Sequence, residues 1–234
     1  MRNQAKMVAG RKAVEYIENG MTVGLGTGST AYYFIDELGR QIRTGHLQNI
    51  QAVATSKRSK EQAESLGIKV VSLDMVEYID VLVDGADETT PDGSGIKGGG
   101  GALLYEKIVA MAAKKSIWIV TPDKVVETLG AFPLPIEIVP FGSLRLFDNL
   151  NQMGLNPQFR RLDNDSLFIT DSGNYILDLH LESIQAPHQL ALELDRMVGV
   201  IEHGLFLDLT DRIIVGYENG ETHLFSCDRG AMQS

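Results

Sequence analysis

One cysteine, Cys227, is all that 234 residues hold, so no intrachain disulfide can form and a reducing compartment fits. Basic residues are also scarce: 21 Lys and Arg against 31 Asp and Glu leave a formal net charge of −10. That excess argues against nucleic acid or an anionic membrane surface as the main partner. An anionic substrate would have to be met by a local cluster of cations and amides. The opening stretch, MRNQAKMVAGRKAVEYI, lacks the apolar core of a signal peptide, and no apolar run approaches membrane-spanning length. The five histidines, His46, His180, His188, His203 and His223, show no metal-ligand spacing such as HxxxH. The expectation is a soluble cytoplasmic protein without a metal site.

What is present alternates between two periodicities. Gln4 to Glu18 reads as a helix, Thr22 to Leu25 as a strand, Thr30 to Leu38 as a helix and Gln51 to Ala54 as a strand. A helix then runs to Leu66, with strands at Lys69 to Leu73 and Ile79 to Val83, a helix at Ala102 to Ala113 and a strand at Ser116 to Val120. Such alternation implies an α/β fold with a Rossmann-like parallel sheet covered on both faces. The pattern breaks at Phe132-Pro133-Leu134-Pro135. Beyond it, strand Ile136 to Val139, helix Leu144 to Met153, strands Gln158 to Leu162, Leu167 to Thr170 and Tyr175 to Leu181, helix Pro187 to Met197 and strand Val200 to Leu207 follow. That is a β-α-β-β-α-β plan with an added hairpin strand, a smaller ferredoxin-like α+β domain. The apolar run Arg212 to Tyr217 could rejoin the first sheet, which makes residues 131–207 an insertion between 1–130 and 208–234.

GLGTGST, Gly24 to Thr30, joins a strand to a helix. The dinucleotide fingerprint needs a third glycine where Ser29 stands, and the P-loop lysine is absent too. What remains is a phosphate cradle: amides at a helix start with the hydroxyls of Thr27, Ser29 and Thr30 around Gly28. The alternative is a tight turn in which Ser29 or Thr30 caps the helix.

DGADETTPDGSGIKGGGGALLYE, Asp84 to Glu106, carries most of the chemistry. Asp84 and Asp87, separated by Gly85 and Ala86, follow an apolar strand whose carboxyl end borders the ligand crevice of such a sheet. Lys97 precedes Gly98, Gly99, Gly100 and Gly101. Clustered glycines cost conformational entropy, and the compensation here is exposed amides forming an oxyanion nest. Glu106 lies in the apolar helical stripe of Ala102, Leu103, Val109 and Ala110, where burial raises a carboxylate toward the range of a useful base. The competing arrangement puts Glu106 at the stripe's edge, in solvent. Acids, a cation, amides and a base within one strand–loop–helix unit suit proton transfer next to a carbonyl. By spacing alone Lys6 and Lys124 read as surface lysines.

These segments resemble type A ribose-5-phosphate isomerase over nearly the whole chain: GLGTGST (24–30), VDGADE (83–88), IKGGGGALLYEKI (96–108), FPLPIEIVP (132–140), GNYILDLH (173–180) and GVIEHGLF (199–206). The resemblance implies interconversion of D-ribose 5-phosphate and D-ribulose 5-phosphate without metal or organic cofactor. It implies Glu106 as base. For the remaining steps the candidates are Asp84 for ring opening, Asp87 for proton exchange between O1 and O2, and Lys97 with the amides of Gly98 to Gly100 for the oxyanion. Substrate binding falls to Thr27 to Thr30, Asp84 to Asp87 and Lys97 to Gly100, with Lys124 and Lys6 as phosphate cations. A homodimer, or a homotetramer, is implied as well. The rival reading is a sugar-phosphate-binding sensor domain without catalysis.

Overall fold

The computed structural model describes residues 2–229; residue 1 and residues 230–234, the end of the expected 208–234 segment, lie outside the described residues. The chain opens with α1 (Arg2–Val14), β1 (Thr22–Leu25), α2 (Ala31–Arg43), β2 (Gln51–Ala54), α3 (Lys57–Ser65), β3 (Lys69–Val70) and β4 (Ile79–Asp84). Two short strands follow, β5 (Glu88–Thr89) and β6 (Gly95–Ile96), then α4 (Leu103–Met111) and β7 (Ala113–Val120). Next come β8 (Leu134–Ile138), α5 (Ser143–Gln152), β9 (Pro157–Phe159), β10 (Tyr175–Leu179), α6 (Pro187–Asp195) and β11 (Val200–His203). The chain closes with β12 (Leu205–Phe206), β13 (Arg212–Gly216) and β14 (Thr222–Ser226).

The fold is α/β. A seven-stranded sheet runs in the order β14-β13-β7-β4-β1-β2-β3. All its pairings are parallel except β13 with β14. Its central strands read as near-continuous apolar runs because both faces are covered: five of the six residues of β4 are buried. One face packs on α1 and α2. The stripe Ala31, Phe34, Ile35 and Leu38 of α2 repeats at helical spacing, and all four are buried. Phe34 and Leu38 meet Val23, Leu25 and Val81 of the sheet in one cluster. The other face carries α4, through Val109 and Ala110 against Val53, Ile79 and Leu82.

A second sheet, entirely antiparallel, has the order β11-β8-β10-β9. With α5 and α6 this is a β-α-β-β-α-β unit built around Leu134, Ile136, Ile138, Leu177 and Leu179. A third sheet, β12-β6-β5, was not anticipated; two-residue strands carry too little periodicity to be seen.

Several expectations differ from the structure. The expected strand Lys69 to Leu73 keeps only Lys69–Val70, and Leu73 opens a short 3-10 turn. The expected strand Gln158 to Leu162 is Pro157–Phe159. The expected strand Leu167 to Thr170 is reduced to one bridge, Arg161 with Leu167, and the hydrogen bond from Phe168 N to Arg160 O. The expected strand Val200 to Leu207 is two strands in different sheets, broken at Gly204, where a Cβ would lie 2.3 Å from Lys97 O. The first helix ends at Val14 instead of Glu18, its last turn tightening into the bonds Tyr16 N to Ala13 O and Ile17 N to Val14 O. Among the described residues no helix is long and apolar enough to cross a membrane.

Candidate active site

In the large sheet the chain reverses direction of growth between β1 and β4: β2 and β3 extend one way, β7 and β13 the other. The carboxyl ends of strands at such a switch point form the natural crevice of an open α/β sheet. Here β1 runs into GLGTGST and β4 into Asp84-Gly85-Ala86-Asp87, and the strands pair in register at Leu25 with Val83. A cavity of about 230 Å³ opens at this point. Its walls are Gly28, Ser29 and Thr30 with Thr27; Gly85, Ala86 and Asp87; Lys97, Gly98, Gly100 and Glu106; and Lys6 and Lys124. Thr121 and Asp123 line it as well, and neither is among the expected site residues. Their signal was their place beyond a strand's carboxyl end, beside Lys124.

Two of the singled-out residues do not border the cavity. Gly99 stands behind Asp87, to whose Oδ2 it donates from its amide at 2.7 Å. Asp84 is fully buried. Its Oδ1 accepts from the amides of Thr27 (3.0 Å) and Gly85 (2.7 Å), and its Oδ2 lies 2.9 Å from Lys97 Nζ. This pairing ties the two loops together, and it requires Gly26. A Cβ at residue 26 would sit 2.1 Å from Asp84 Oδ1 and 2.5 Å from Asp84 Cα, so a methyl group forces backbone apart. Gly26→Ala is expected to cost about 1–3 kcal/mol, or roughly 5 °C of melting temperature in a chain this size. Unchanged thermal unfolding of that variant would contradict the close approach.

Lys97 is 2% exposed and Glu106 3%. The ammonium sits between carboxylates, 2.9 Å from Asp84 Oδ2 and 3.4 Å from Glu106 Oε1, and it donates to Gly85 O. Glu106 therefore has a partner, but one from outside its own helix. Its second oxygen, Oε2, is buried and has no hydrogen-bond partner. Burial pushes the Glu106 carboxyl up to about 8; the pull of Lys97 opposes this, and the nearby Asp84 and Asp87 add to it. Burial also raises Asp84, against Lys97 and the two amides. For Lys97, burial alone would lower the ammonium, but Asp84 and Glu106 outweigh it and hold the group above its ordinary value.

At the other end of the cavity the helix start is set for an anion. Thr30, at the start of α2, makes no side-chain cap hydrogen bond, and Gly28 takes φ +130°, a conformation that glycine tolerates. Lys6 Nζ donates to Ser29 Oγ at 2.8 Å, which brings a cation to the cradle from α1. Lys124 Nζ stands 5.6 Å from the ring centroid of Phe132. Thr27 differs from its expected part. Its amide serves Asp84, and its hydroxyl is engaged by Thr55 (2.7 Å) and Ser56 (2.8 Å), so it braces the cradle from inside.

Among the described residues one group, Asp195, Glu202 and His203, has ligand atoms close enough to share a metal ion. None of the three lines the cavity. Lys107 Nζ already pairs with Glu202 and donates to His203 O at 2.7 Å, so a cation is in place there.

The comparisons with known proteins agree with one another. The family model for ribose 5-phosphate isomerase A (phosphoriboisomerase A) matches residues 51–220. The ribose-5-phosphate isomerase A of Streptococcus agalactiae serotype III (strain NEM316) is 55% identical over 218 residues, 93% of this chain and 97% of that one. That of Lactiplantibacillus plantarum (strain ATCC BAA-793 / NCIMB 8826 / WCFS1) is 52% identical over 218 residues, 93% of this chain and 95% of its own. Among solved structures, a ribose 5-phosphate isomerase A from Methanocaldococcus jannaschii superposes with a TM-score of 0.90 at 35% identity, covering 97% of this chain and 100% of that chain. A D-ribose-5-phosphate isomerase in complex with phospho-erythronic acid gives 0.91 at 39% identity, covering 95% and 97%. With the model spanning most of its length and about half its residues shared with named members, the chain belongs to the ribose 5-phosphate isomerase A family.

Proposed function

We propose that the protein interconverts D-ribose 5-phosphate and D-ribulose 5-phosphate, in the non-oxidative branch of the pentose phosphate pathway, by proton transfer through an enediolate with Glu106 as base. The observation that carries this reading is Glu106 Oε2, a buried carboxylate oxygen with no partner, on a residue that walls the cavity beside Lys97. Family membership supports the substrate class. So does the relative solved with phospho-erythronic acid, a phosphorylated sugar acid whose planar carboxylate matches an enediolate in shape and charge.

The phosphate docks on the amides and hydroxyls of Gly28, Ser29 and Thr30, with Lys6 and Lys124 supplying charge. In the open aldose, Glu106 takes the proton from C2. The C2–H electrons form the C1=C2 bond, and the carbonyl electrons move to O1. Lys97 and the amides of Gly98 and Gly100, which border the cavity, stabilise that oxyanion. A proton passes from O2 to O1, and Glu106 returns its own proton to C1, leaving the ketose. Ring opening fell to Asp84 in the sequence reading. Asp84 Oδ1 accepts from two amides, Oδ2 faces the Lys97 ammonium at 2.9 Å without a further hydrogen bond, and the residue does not border the cavity, so we assign ring opening and the O2-to-O1 exchange to Asp87 and the holding of Lys97 to Asp84. The scheme draws on no metal or organic cofactor. It includes a homodimer, or a homotetramer, in the cytoplasm. There Cys227, its thiol pushed up to about 11 by burial first, stays reduced and unreactive.

The direct test is conversion of D-ribose 5-phosphate to the ketose with and without EDTA. The expected result is equal rates. Loss of turnover in EDTA would point to metal-assisted chemistry. A folded protein that binds the sugar phosphate but does not convert it would be a sensor.

A further inference from the structure

The glycine loop that faces the substrate is held from behind by a residue of the inserted unit. Arg160 follows β9, and its backbone is fixed in that sheet, its amide donating to Ile176 O at 2.9 Å and its carbonyl accepting from Phe168 N at 2.9 Å. Its guanidinium forks onto Asp178 of β10, with Nε 2.9 Å from Oδ2 and Nη2 bonded to Oδ1. Both side chains are largely buried, at 14% and 18% exposure. A planar fork paired at two points cannot rotate, so the remaining nitrogen has a fixed aim. That nitrogen, Nη1, donates to Gly98 O at 2.7 Å and to Gly99 O at 3.2 Å.

Peptide planarity turns this into a statement about the cavity. In a trans peptide the C=O and the following N–H point opposite ways, and the described residues contain no cis bond. Fixing the Gly98 carbonyl on Arg160 aims the Gly99 amide the other way, where it meets Asp87 Oδ2 at 2.7 Å. Fixing the Gly99 carbonyl aims the Gly100 amide away from Arg160, and Gly100 borders the cavity. The loop's own turn bond, Gly101 N to Gly98 O at 2.9 Å, shares the Gly98 carbonyl, and Arg160 adds a hold on the Gly99 carbonyl, where glycine's conformational freedom would otherwise let the plane turn; Gly98 takes φ +101°. Phe168 closes the same loop from the same unit: a Cβ on Gly101 would fall 2.3 Å from its ring.

We propose that Arg160 is a positioning residue of the isomerase, setting the amides of Gly99 and Gly100, and through Gly99 the carboxylate of Asp87, for the enediolate step. The inference rests on the isomerase reading above and adds a part to it. Because the amides matter most when negative charge develops on oxygen, the effect belongs to the transition state.

The test compares wild type with Arg160→Lys, which keeps a cation beside Asp178 but loses the fork, and Arg160→Met. Expected for Arg160→Lys is a kcat lowered about 10- to 100-fold with KM within about threefold and melting within about 3 °C. Inhibition by a phosphorylated four-carbon sugar acid should weaken in step with kcat, while inhibition by inorganic phosphate stays unchanged. Arg160→Met should show the same split, more strongly. A folded Arg160→Lys with wild-type kcat would overturn the inference. So would a loss of activity matched by equal weakening of phosphate and sugar-acid inhibition, which marks a merely structural residue. If wild type itself fails to isomerise, the isomerase reading falls and takes this inference with it. An active wild type beside an unaffected Arg160→Lys removes the inference alone.

Discussion

Glu106→Gln is expected to lower turnover of ribose 5-phosphate by about 10²- to 10⁴-fold, the usual contribution of a positioned base, while inhibition by inorganic phosphate is unchanged. Glutamine preserves the shape of the side chain, and Lys97 keeps Asp84 as a partner at 2.9 Å, so the site stays assembled without its proton acceptor. On the proposed scheme the same group should set the pH profile of wild type. With Glu106 pushed up to about 8, mainly by burial, kcat/KM falls tenfold per unit below that pH and levels above it. Stability moves in the opposite sense. The folded-state value lies above that of the unfolded chain, so the protonated carboxyl stabilises the fold. This stability is complete below the unfolded value and is lost as pH rises through about 8. Glu106→Gln escapes the loss. Its melting temperature should exceed that of wild type by a margin that grows from pH 5 to pH 8 and then holds. Steady-state kinetics and thermal unfolding across that range check both halves. A variant keeping a tenth of the wild-type rate would remove Glu106 from the base position.

Lys97→Met destabilises the protein by about 3–5 kcal/mol, roughly 10 °C, and abolishes turnover. The ammonium is 2% exposed and meets Asp84 and Glu106, with Asp87 also close enough to be felt. Removing it leaves Asp84 fully buried with no opposing charge. Breaking one side of such a pair costs far more than the pair contributes. The double variant Asp84→Asn/Lys97→Met should therefore recover much of the lost stability and none of the activity. Thermal unfolding of the two proteins side by side decides it; equal melting of Lys97→Met and wild type would mean that the buried charges need no cation. Any residual activity of Lys97→Met should also require higher pH, because Lys97 is the group that pulls Glu106 down.

Much of the fold is legible in local patterns. The runs Thr22–Leu25 and Ile79–Asp84 are short, apolar and bounded by glycine or turns, which marks strands buried on both faces. Pro187 starts α6, and the Pro-rich stretch that runs into β8 marks the change of sheet. What was hidden depends on distant chain. β14 is half exposed and polar, and it is a strand because β13 offers it an edge, Ile213 opposite Phe225. β12 exists because β6 lies beside it. The site shows the same division. Glu106 stands out against its stripe, whereas its partner Lys97 comes from the loop before its helix and could not be read from helical spacing. Thr27 carries a hydroxyl suited to phosphate, yet Thr55 and Ser56, brought in beside it by the turn after β2, take it inward. Arg160 had no local signal at all, since its target is the backbone of glycines 98 and 99.

The place of β13 has a consequence for the nascent chain. It is synthesised after the whole inserted unit, yet it lies between β7 and β14, pairing with β7 from Arg212 opposite Ile117 to Val215 opposite Val120. Those partners lie 95 residues apart in the chain, several seconds of translation at roughly 5–20 residues per second. For that interval β7 presents Ile117, Trp118, Ile119 and Val120 on an open edge, the kind that recruits foreign strands. The four-stranded sheet needs nothing made later than β11 and can close first. The half of the molecule that emerges from the ribosome earliest is thus completed last, its sheet edge open until β13 arrives.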